Sequence, residues 1–307
     1  MMPTSEQTAV HTARFSDRME QGELAIVRRA YAKHVLATAG VDDARVEAGF
    51  AAVRREHFLG PGPWLMPRWS RPYVPTPSDD PVYLYQDALV GLVPERSLNN
   101  GEPSLHAMLI AAAAPQPGEH VVHIGAGVGY YTAILAHIVG ESGRVTAVEF
   151  DSGLAVRLAA NFSGHPNVRS LQGDGAQIEF DPADVIYVNA GATRPSDIWL
   201  DRLNDGGRLI LPLTSDKGFG ENPENIPIQR RGAVFGIKRR GNRFLAKWLS
   251  AVAIFPCVGA RDAESERALA AAFENGGWER VTRLYRRGNL PDGQCWLNAP
   301  DWVLAYA

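Results

Sequence analysis

The chain is short of cysteine, of net charge and of long apolar runs, and each shortage removes a class of protein. Cys257 and Cys295 are the only two cysteines in 307 residues. Lacking C-x-x-C spacing, they offer neither a structural zinc site nor a disulfide framework, so both are expected reduced and buried, with no metal bound. No apolar stretch approaches the roughly 20 residues that a membrane-spanning helix needs; the longest lies near Met108 to Ala114. Met1 to Arg18 is polar and lacks the apolar core of a secretory signal, which makes the cytoplasm the expected location. A net charge of −3 gives no global attraction for nucleic acid. The stretch Gln229 to Lys247 does hold seven Lys/Arg and no acid, and it reads as the solvated face of a hairpin. Hydrophobic residues make up 45% of the chain, enough for a substantial core built as one large domain or a core with an appended subdomain. No internal repeat or low-complexity tract breaks the pattern.

The most informative stretch runs Val121-Val122-His123-Ile124-Gly125-Ala126-Gly127-Val128-Gly129. Its first four residues have strand composition, and Tyr130, Ile134 and Ile138 then repeat at the spacing of one helical face. Strand, glycine turn and helix therefore follow in order. Glycines let the backbone turn sharply and approach a ligand closely, while the free N–H groups at the helix start favour an anionic group. A second strand-like run, Val145 to Val148, ends in Glu149, whose carboxylate can accept hydrogen bonds from both hydroxyls of a ribose. This is the pattern of a nucleoside-cofactor site. The glycine spacing, G-x-G-x-G where a dinucleotide site would show G-x-G-x-x-G, suits a smaller ligand.

Along the chain, apolar periodicity predicts a helix over Glu23–Thr38 and a second starting near Asp42. Six prolines between Pro61 and Pro77 predict a packed connector or lid without regular structure. Tyr83 and Tyr85 alternate as in a strand. Pro103 opens a helix that Pro115 stops, and strand and helix then alternate to Leu213. The predicted strands are His120–Ile124, Arg144–Val148, Val168–Leu171, Asp184–Asn189 and Arg208–Leu213. Helices Tyr130–Val139, Ser152–Phe162 and Pro195–Leu203 lie between them, and the alternation implies a mostly parallel sheet. A loop over Thr214 to Ile226 leads to a hairpin, Ala233–Lys238 and Phe244–Phe255, and a helix over Asp262–Phe273 and a final strand pair close the chain. The expected organisation is an N-terminal helical cap and proline-rich connector over 1–102, a Rossmann-like α/β core over 103–215, and a C-terminal hairpin and extension over 216–307 that completes the sheet.

The order of these segments resembles class I S-adenosylmethionine-dependent methyltransferases. Gly173-Asp174-Gly175 follows the third strand, Asp184 to Ala190 forms the fourth, and Leu203-Asn204-Asp205-Gly206-Gly207-Arg208-Leu209 enters the fifth. Four stretches narrow the likeness: Val41 to Val46, Arg55-Glu56-His57-Phe58, Pro103-Ser104-Leu105-His106-Ala107, and Gly127 to Ala133. With them the chain is most similar to protein-L-isoaspartate O-methyltransferases. The resemblance implies S-adenosyl-L-methionine as cofactor, with Gly125 and Gly127 beside its methionine part, Glu149 at its ribose and Asp174 at its adenine amino group. The remaining expected cofactor contacts are His123, Ala126, Gly129, Tyr130, Phe150, Gly173, Gly175 and Asn189. The implied acceptor is a carboxylate of a peptide, a protein or a small acid.

Two departures from that family accompany the likeness. His123 stands where its members usually carry Glu near the cofactor's ammonium. The family's loop reads roughly Thr-Ile-Ser-x-Pro, with hydroxyls beside the reacting carboxylate; here Asn99, Asn100 and Gly101 occupy those positions and Ser104 follows the proline. These four residues are the expected acceptor-side set, and the loss of both hydroxyls predicts weak or absent repair of isoaspartyl peptides. A carboxylate nucleophile needs no base, whereas an amine or phenol would, with His57, His106 and His123 as the candidates. The fourth strand ends Asn189-Ala190-Gly191-Ala192, unlike the Asn/Asp-Pro-Pro-Tyr of base-amino methyltransferases. Two other readings stand beside carboxyl methylation: a methyltransferase of another acceptor class, small molecule or tRNA, and a cofactor-binding relative without turnover.

Overall fold

The computed structural model describes residues 5–68, 71–216, 227–287 and 290–306, which divide into two compact units, 1–107 and 108–307. The N-terminal unit opens with helix α1 (Ser5–Ala39), which starts well before the predicted Glu23. Helix α2 (Ala44–Ala52) begins where the side chain of Asp43 accepts the backbone N–H groups of Arg45 and Val46, a cap that satisfies two otherwise unpaired donors. Tyr31, Val35 and Leu36 of α1 are buried with Val46 and Phe50 of α2, and the Tyr31 and Phe50 rings lie 6.2 Å apart. Helix α3 (Arg55–Leu59) follows.

The proline-rich stretch is more regular than expected. It contains strands β1 (Leu65–Arg68) and β2 (Arg71–Pro75), paired antiparallel. A two-stranded ribbon leaves one edge of each strand free of ladder bonds, and proline is tolerated there. The Tyr83–Tyr85 expectation fails in the other direction. Pro81–Leu84 is a 3-10 turn in which Asp80 Oδ1 accepts the Val82 N–H at 2.9 Å, and a proline placed just inside such a cap favours helical turn over strand. A second short ribbon, β3 (Gly91–Val93) with β4 (Leu98–Asn99), leads into helix α4 (Pro103–Ala113).

The C-terminal unit is built on one ten-stranded sheet. Its parallel half comprises β5 (His120–Ile124), β6 (Arg144–Glu149), β7 (Val168–Gln172), β8 (Ala183–Val188) and β9 (Leu203–Thr214), in the spatial order 7-6-5-8-9. Helices α5 (Tyr130–Val139), α6 (Ser152–Asn161) and α7 (Asp197–Arg202) connect these strands. Every residue of β5 is buried, as expected for a strand covered on both faces. The sheet then continues antiparallel through β10 (Gly232–Arg240), β11 (Arg243–Ala251), β12 (Arg283–Arg286), β14 (Trp302–Ala305) and β13 (Cys295–Ala299). The sheet is therefore mixed where a mostly parallel one was expected, because the hairpin and the extension add to its edge as antiparallel neighbours. The expected final strand pair is a set of three, β12 being a short segment, Arg-Leu-Tyr-Arg, with a weak pattern of its own.

Residues Val122, Ile124, Ile186, Val188, Leu209, Leu211, Phe235 and Ile237 of neighbouring strands form one buried cluster with Leu269 and Phe273 of helix α8 (Ala263–Asn275). The Arg208 guanidinium sits at the end of α4, donating to the carbonyls of Ala113 and Ala114 at 2.9 and 2.7 Å and to both oxygens of Glu119. A cation there satisfies carbonyls that the helix leaves unpaired. From residue 217 onward the loop expected over Thr214 to Ile226 lies outside the described residues. Among the described residues no helix is long and apolar enough to cross a membrane.

Candidate active site

Within the parallel half, β5 runs beside β6 on one side and β8 on the other, so the connections leave it in opposite directions. Open α/β sheets bind ligands outside the carboxyl ends of the strands at such a reversal. The glycine loop stands there. Gly125, Gly127 and Gly129 all have positive φ, at 74°, 57° and 98°, a region that residues with a Cβ seldom adopt. A Cβ on Gly125 would also lie 2.8 Å from the Asn189 carbonyl oxygen at the end of β8. The loop is tied down by the N–H groups of Gly125 and Ala126, which both donate to the Val148 carbonyl, and by the Gly129 N–H, which donates to Ala126. Asn189 adds its side-chain amide on the Gly125 carbonyl at 3.4 Å, and Tyr130 opens α5 as a buried residue.

Glu149, at the tip of β6, is buried, and its two oxygens divide the adjacent turns between them. Oε2 accepts the Gly127 N–H at 2.6 Å and Oε1 the Asp151 N–H at 2.9 Å. Burial raises its pKa above the ordinary carboxylate range, with the Asp151 charge adding to the rise, while the backbone donors of Asp151 and Gly127 oppose it. A carboxylate has about four lone-pair sites, so Glu149 keeps acceptor capacity beyond these backbone bonds. Phe150, the next residue, exposes half its side chain. The Gly173 N–H donates to the Glu149 carbonyl, which sets the third strand's turn beside the acid. Asp174 accepts the Ala176 N–H on Oδ1 and the Gln177 amide on Oδ2. Gly175 packs against Ile124, and its carbonyl accepts the Trp199 indole N–H at 2.7 Å.

His123 is wholly buried. Its Nδ1 pairs with the Thr132 hydroxyl at 2.8 Å, its ring meets Tyr187 edge-on at 5.3 Å, and its Nε2 has no hydrogen-bond partner. Burial pushes its pKa down to about 3, so the imidazole is neutral at physiological pH. The carboxylate that the resemblance places near an ammonium is thus replaced by a neutral ring.

In the N-terminal unit, Asn99, Asn100, Gly101 and Ser104 share one turn. Asn99 Oδ1 accepts the Gly101 N–H at 2.9 Å, and Asn100 Oδ1 accepts the Val90 N–H at 2.8 Å while its own N–H donates to Val90. Asp87 Oδ1 accepts the Ser104 N–H at 2.8 Å and so caps the first turn of α4. Behind Asp87 stands Arg55, fully buried, whose guanidinium donates to the carbonyls of Leu84, Gln86 and Ala88. The Tyr85 hydroxyl donates to Glu56 and accepts the Arg55 N–H. The Arg55-Glu56 pair therefore holds the strap that carries Asp87. Sequence reasoning marked Arg55 and Glu56 by resemblance but gave them no task, and it missed Asp87, which carries no local signal. It also missed the segment after β11. There a Cβ on Gly259 would fall 1.9–2.2 Å from the Asp174 carboxylate, Gly191 exchanges backbone bonds with Phe255 and Cys257, and Arg261 donates to the Gly191 carbonyl.

The doubly bonded acid beside a glycine loop at the sheet's reversal fits a nucleoside cofactor carrying an amino-acid tail, and fold and site together define a class I S-adenosylmethionine-dependent methyltransferase. Sequence comparison narrows the class. A family profile for protein-L-isoaspartate(D-aspartate) O-methyltransferase matches residues 71–222. The protein-L-isoaspartate O-methyltransferase of Ralstonia nicotianae is 31% identical over 229 residues, covering 73% of this chain and 67% of the relative. That of Thermotoga maritima is 29% identical over 212 residues, which span 67% of this chain and 58% of the relative's length. The chain belongs to the protein-L-isoaspartate O-methyltransferase family. Two solved structures share its fold. One protein-L-isoaspartate O-methyltransferase covers 91% of this chain and 87% of its own at 22% identity and a TM-score of 0.60. A Plasmodium falciparum homologue solved with S-adenosyl-L-homocysteine covers 75% of this chain and 98% of its own at 17% identity and a TM-score of 0.57.

Proposed function

We propose that the chain transfers the methyl group of S-adenosylmethionine to a carboxylate oxygen, with the carboxyl group of an isoaspartyl residue in a peptide or protein as its acceptor. The observation that carries this reading is the family match over residues 71–222, which takes in both the Asn99–Ser104 turn and the glycine loop with its buried Glu149. When bound, the cofactor supplies an activated methyl on a sulfonium. The chain's own residues then orient and desolvate. Glu149 accepts the ribose hydroxyls, the loop Gly125–Gly129 presents N–H groups to the amino-acid tail, and Asp174 stands at the adenine side. A carboxylate acceptor needs no proton removed, which agrees with a site whose buried histidine, His123, is held neutral by burial rather than paired with an acid.

Asn99–Gly101 in place of the hydroxyl loop makes turnover slow relative to a family member that keeps both hydroxyls. One lost donor costs about ten- to hundredfold in rate. The working location is the cytoplasm, and the acceptor is a peptide or protein rather than nucleic acid. Transfer of a radiolabelled methyl to an isoaspartyl peptide, with release of the label by mild base, tests the proposal. Base-labile label on the isoaspartyl peptide and none on its aspartyl counterpart is the expected result. Base-stable label, or label appearing only on other components of a cell lysate, would overturn it.

A further inference from the structure

We propose that the face of β10, β11 and β12 turned away from the core docks a short acidic stretch of polypeptide, whose carboxylates meet a cluster of cations. Among the basic residues of Gln229–Lys247, Arg230 pairs with Glu274, and Arg239 donates to the carbonyls of Leu203 and Gly241. The rest are placed by the strands. Side chains alternate across a strand, and Phe244, Ala246 and Leu284 belong to the core cluster, so Arg243, Leu245, Lys247 and Arg283 stand on the opposite face. The register sets Lys238 and Arg283 on either side of Leu245, and Arg240 directly opposite Arg243. Lys238, Arg240, Arg243 and Lys247 are exposed, with Leu245 40% exposed between them. Among the described residues none of these five cations forms an ion pair. Like charges directly opposite each other destabilise a sheet, and carboxylates of a partner would relieve that repulsion.

The size and surroundings of the face select its partner. Strands lie about 4.8 Å apart and alternate residues about 6.8 Å, so the cations cover about 10 by 14 Å, the length of about four extended residues. Acids bound the patch. Arg208, beside Lys238 on β9, is taken by Glu119, and Asp205 accepts the Gly241 N–H at the hairpin turn. A nucleic-acid strand would run past the cations into those acids. It would also find no free ring on which to stack a base, because Tyr285, on this face, packs against Cys295, Val303 and Ala305. An acidic peptide fits the short span, and the aliphatic stems of its glutamates pack on Leu245. The inference deepens the proposed function, on which it rests for the polypeptide that carries the stretch. Lys238 pairs with Arg208, six residues back along β9 from Thr214, so it lies about 20 Å from the carboxyl ends of the parallel strands. A substrate whose acceptor residue sits at those ends reaches Lys238 after about six extended residues or more.

The test titrates the full-length chain, by fluorescence anisotropy, with a labelled Asp/Glu octapeptide, its Asn/Gln counterpart and a single-stranded oligonucleotide of equal charge. An exposed ion pair contributes about 1.5- to 5-fold, so several together should make the acidic peptide bind about tenfold or more tighter than the neutral one. The difference should fade at high salt. Lys238→Gln/Arg243→Gln/Lys247→Gln should abolish it. Arg29→Gln/Lys33→Gln/Arg169→Gln, which removes the same charge at exposed residues elsewhere, should keep it. Both triple variants should hold S-adenosylhomocysteine as wild type does, which shows that the fold is intact. With isoaspartyl peptides carrying either stretch about ten residues from the acceptor, the acidic one should show a KM about tenfold lower at the same kcat. Equal binding of the acidic and neutral peptides would overturn the inference, as would equal loss in the two triple variants or tighter binding of the oligonucleotide. So would equal KM values in an active wild type. Failure of the underlying reading looks different: the acidic peptide still binds through Lys238, Arg243 and Lys247 while no isoaspartyl carboxylate is labelled, and the docking then stands without the proposed acceptor.

Discussion

Replacing Glu149 by alanine removes two interactions at once, because its oxygens hold the Gly127 N–H at 2.6 Å and the Asp151 N–H at 2.9 Å. Both donors sit at the edge of a buried residue. A donor left without its partner in such a place costs about 1–3 kcal/mol, and regained hydration of a turn at the surface recovers part of that, so the folded chain should lose about 2–4 kcal/mol. Cofactor affinity should fall for a separate reason. Hydrogen bonds to a charged acceptor contribute about 1.5–3 kcal/mol, which is about ten- to hundredfold in Kd. Glu149→Gln separates the two effects: one amide oxygen keeps one backbone donor satisfied, while the NH2 group faces the other and cannot accept a ribose hydroxyl. The pH dependence gives an independent check. Burial raises the carboxyl's pKa in the fold, so acidification protonates Glu149 in the folded chain before it would in the unfolded one. The stability tied to this group is fully present below the unfolded pKa and lost as pH rises through the folded one, whereas ribose binding, which needs the carboxylate, weakens on acidification. Calorimetric titration with S-adenosylhomocysteine and urea unfolding, each at several pH values, measure both arms. Equal affinities in wild type and Glu149→Ala would remove Glu149 from the cofactor site and refute the reasoning.

Two further predictions follow from buried groups. His123 cannot take a proton in the fold until the pH approaches about 3, whereas an unfolded histidine takes one near its ordinary value, so its contribution to stability is complete at neutral pH and falls on acidification. The slope is about 1.4 kcal/mol per pH unit, so His123→Gln should reduce the stability lost between pH 6.5 and pH 5 by about 2 kcal/mol in denaturant titrations; parallel curves for the two proteins would refute it. Arg55→Met leaves the carbonyls of Leu84, Gln86 and Ala88 without their donor, an expected loss of about 3 kcal/mol. Hydrogen exchange should quicken first around residues 84–88 and at the Ser104 amide that Asp87 caps, and uniform protection there would show that the strap stands without the arginine.

The parallel core and its glycine loop were legible in the sequence because they depend on local signals. Strand composition from Val121 to Ile124, three glycines that later adopt positive φ, and an acid closing the next strand each act within a few residues of the backbone they shape. The same holds for β5 and α5, whose predicted ends coincide with the observed ones. The departures in the proline-rich stretch are local as well: Leu65–Arg68 pairs with the nearby Arg71–Pro75, and the Asp80 cap with Pro81 just inside it sets the 3-10 turn. What the side chains of the site do was decided only by tertiary structure. Neutral His123 results from complete burial against Tyr187 and Thr132, the role of Arg55 from carbonyls about 30 residues further along, and the closed space at Gly101 from a ring on the following helix. Burial and contact between residues far apart in the chain set charge state and available space, and neither is written in any short stretch of residues.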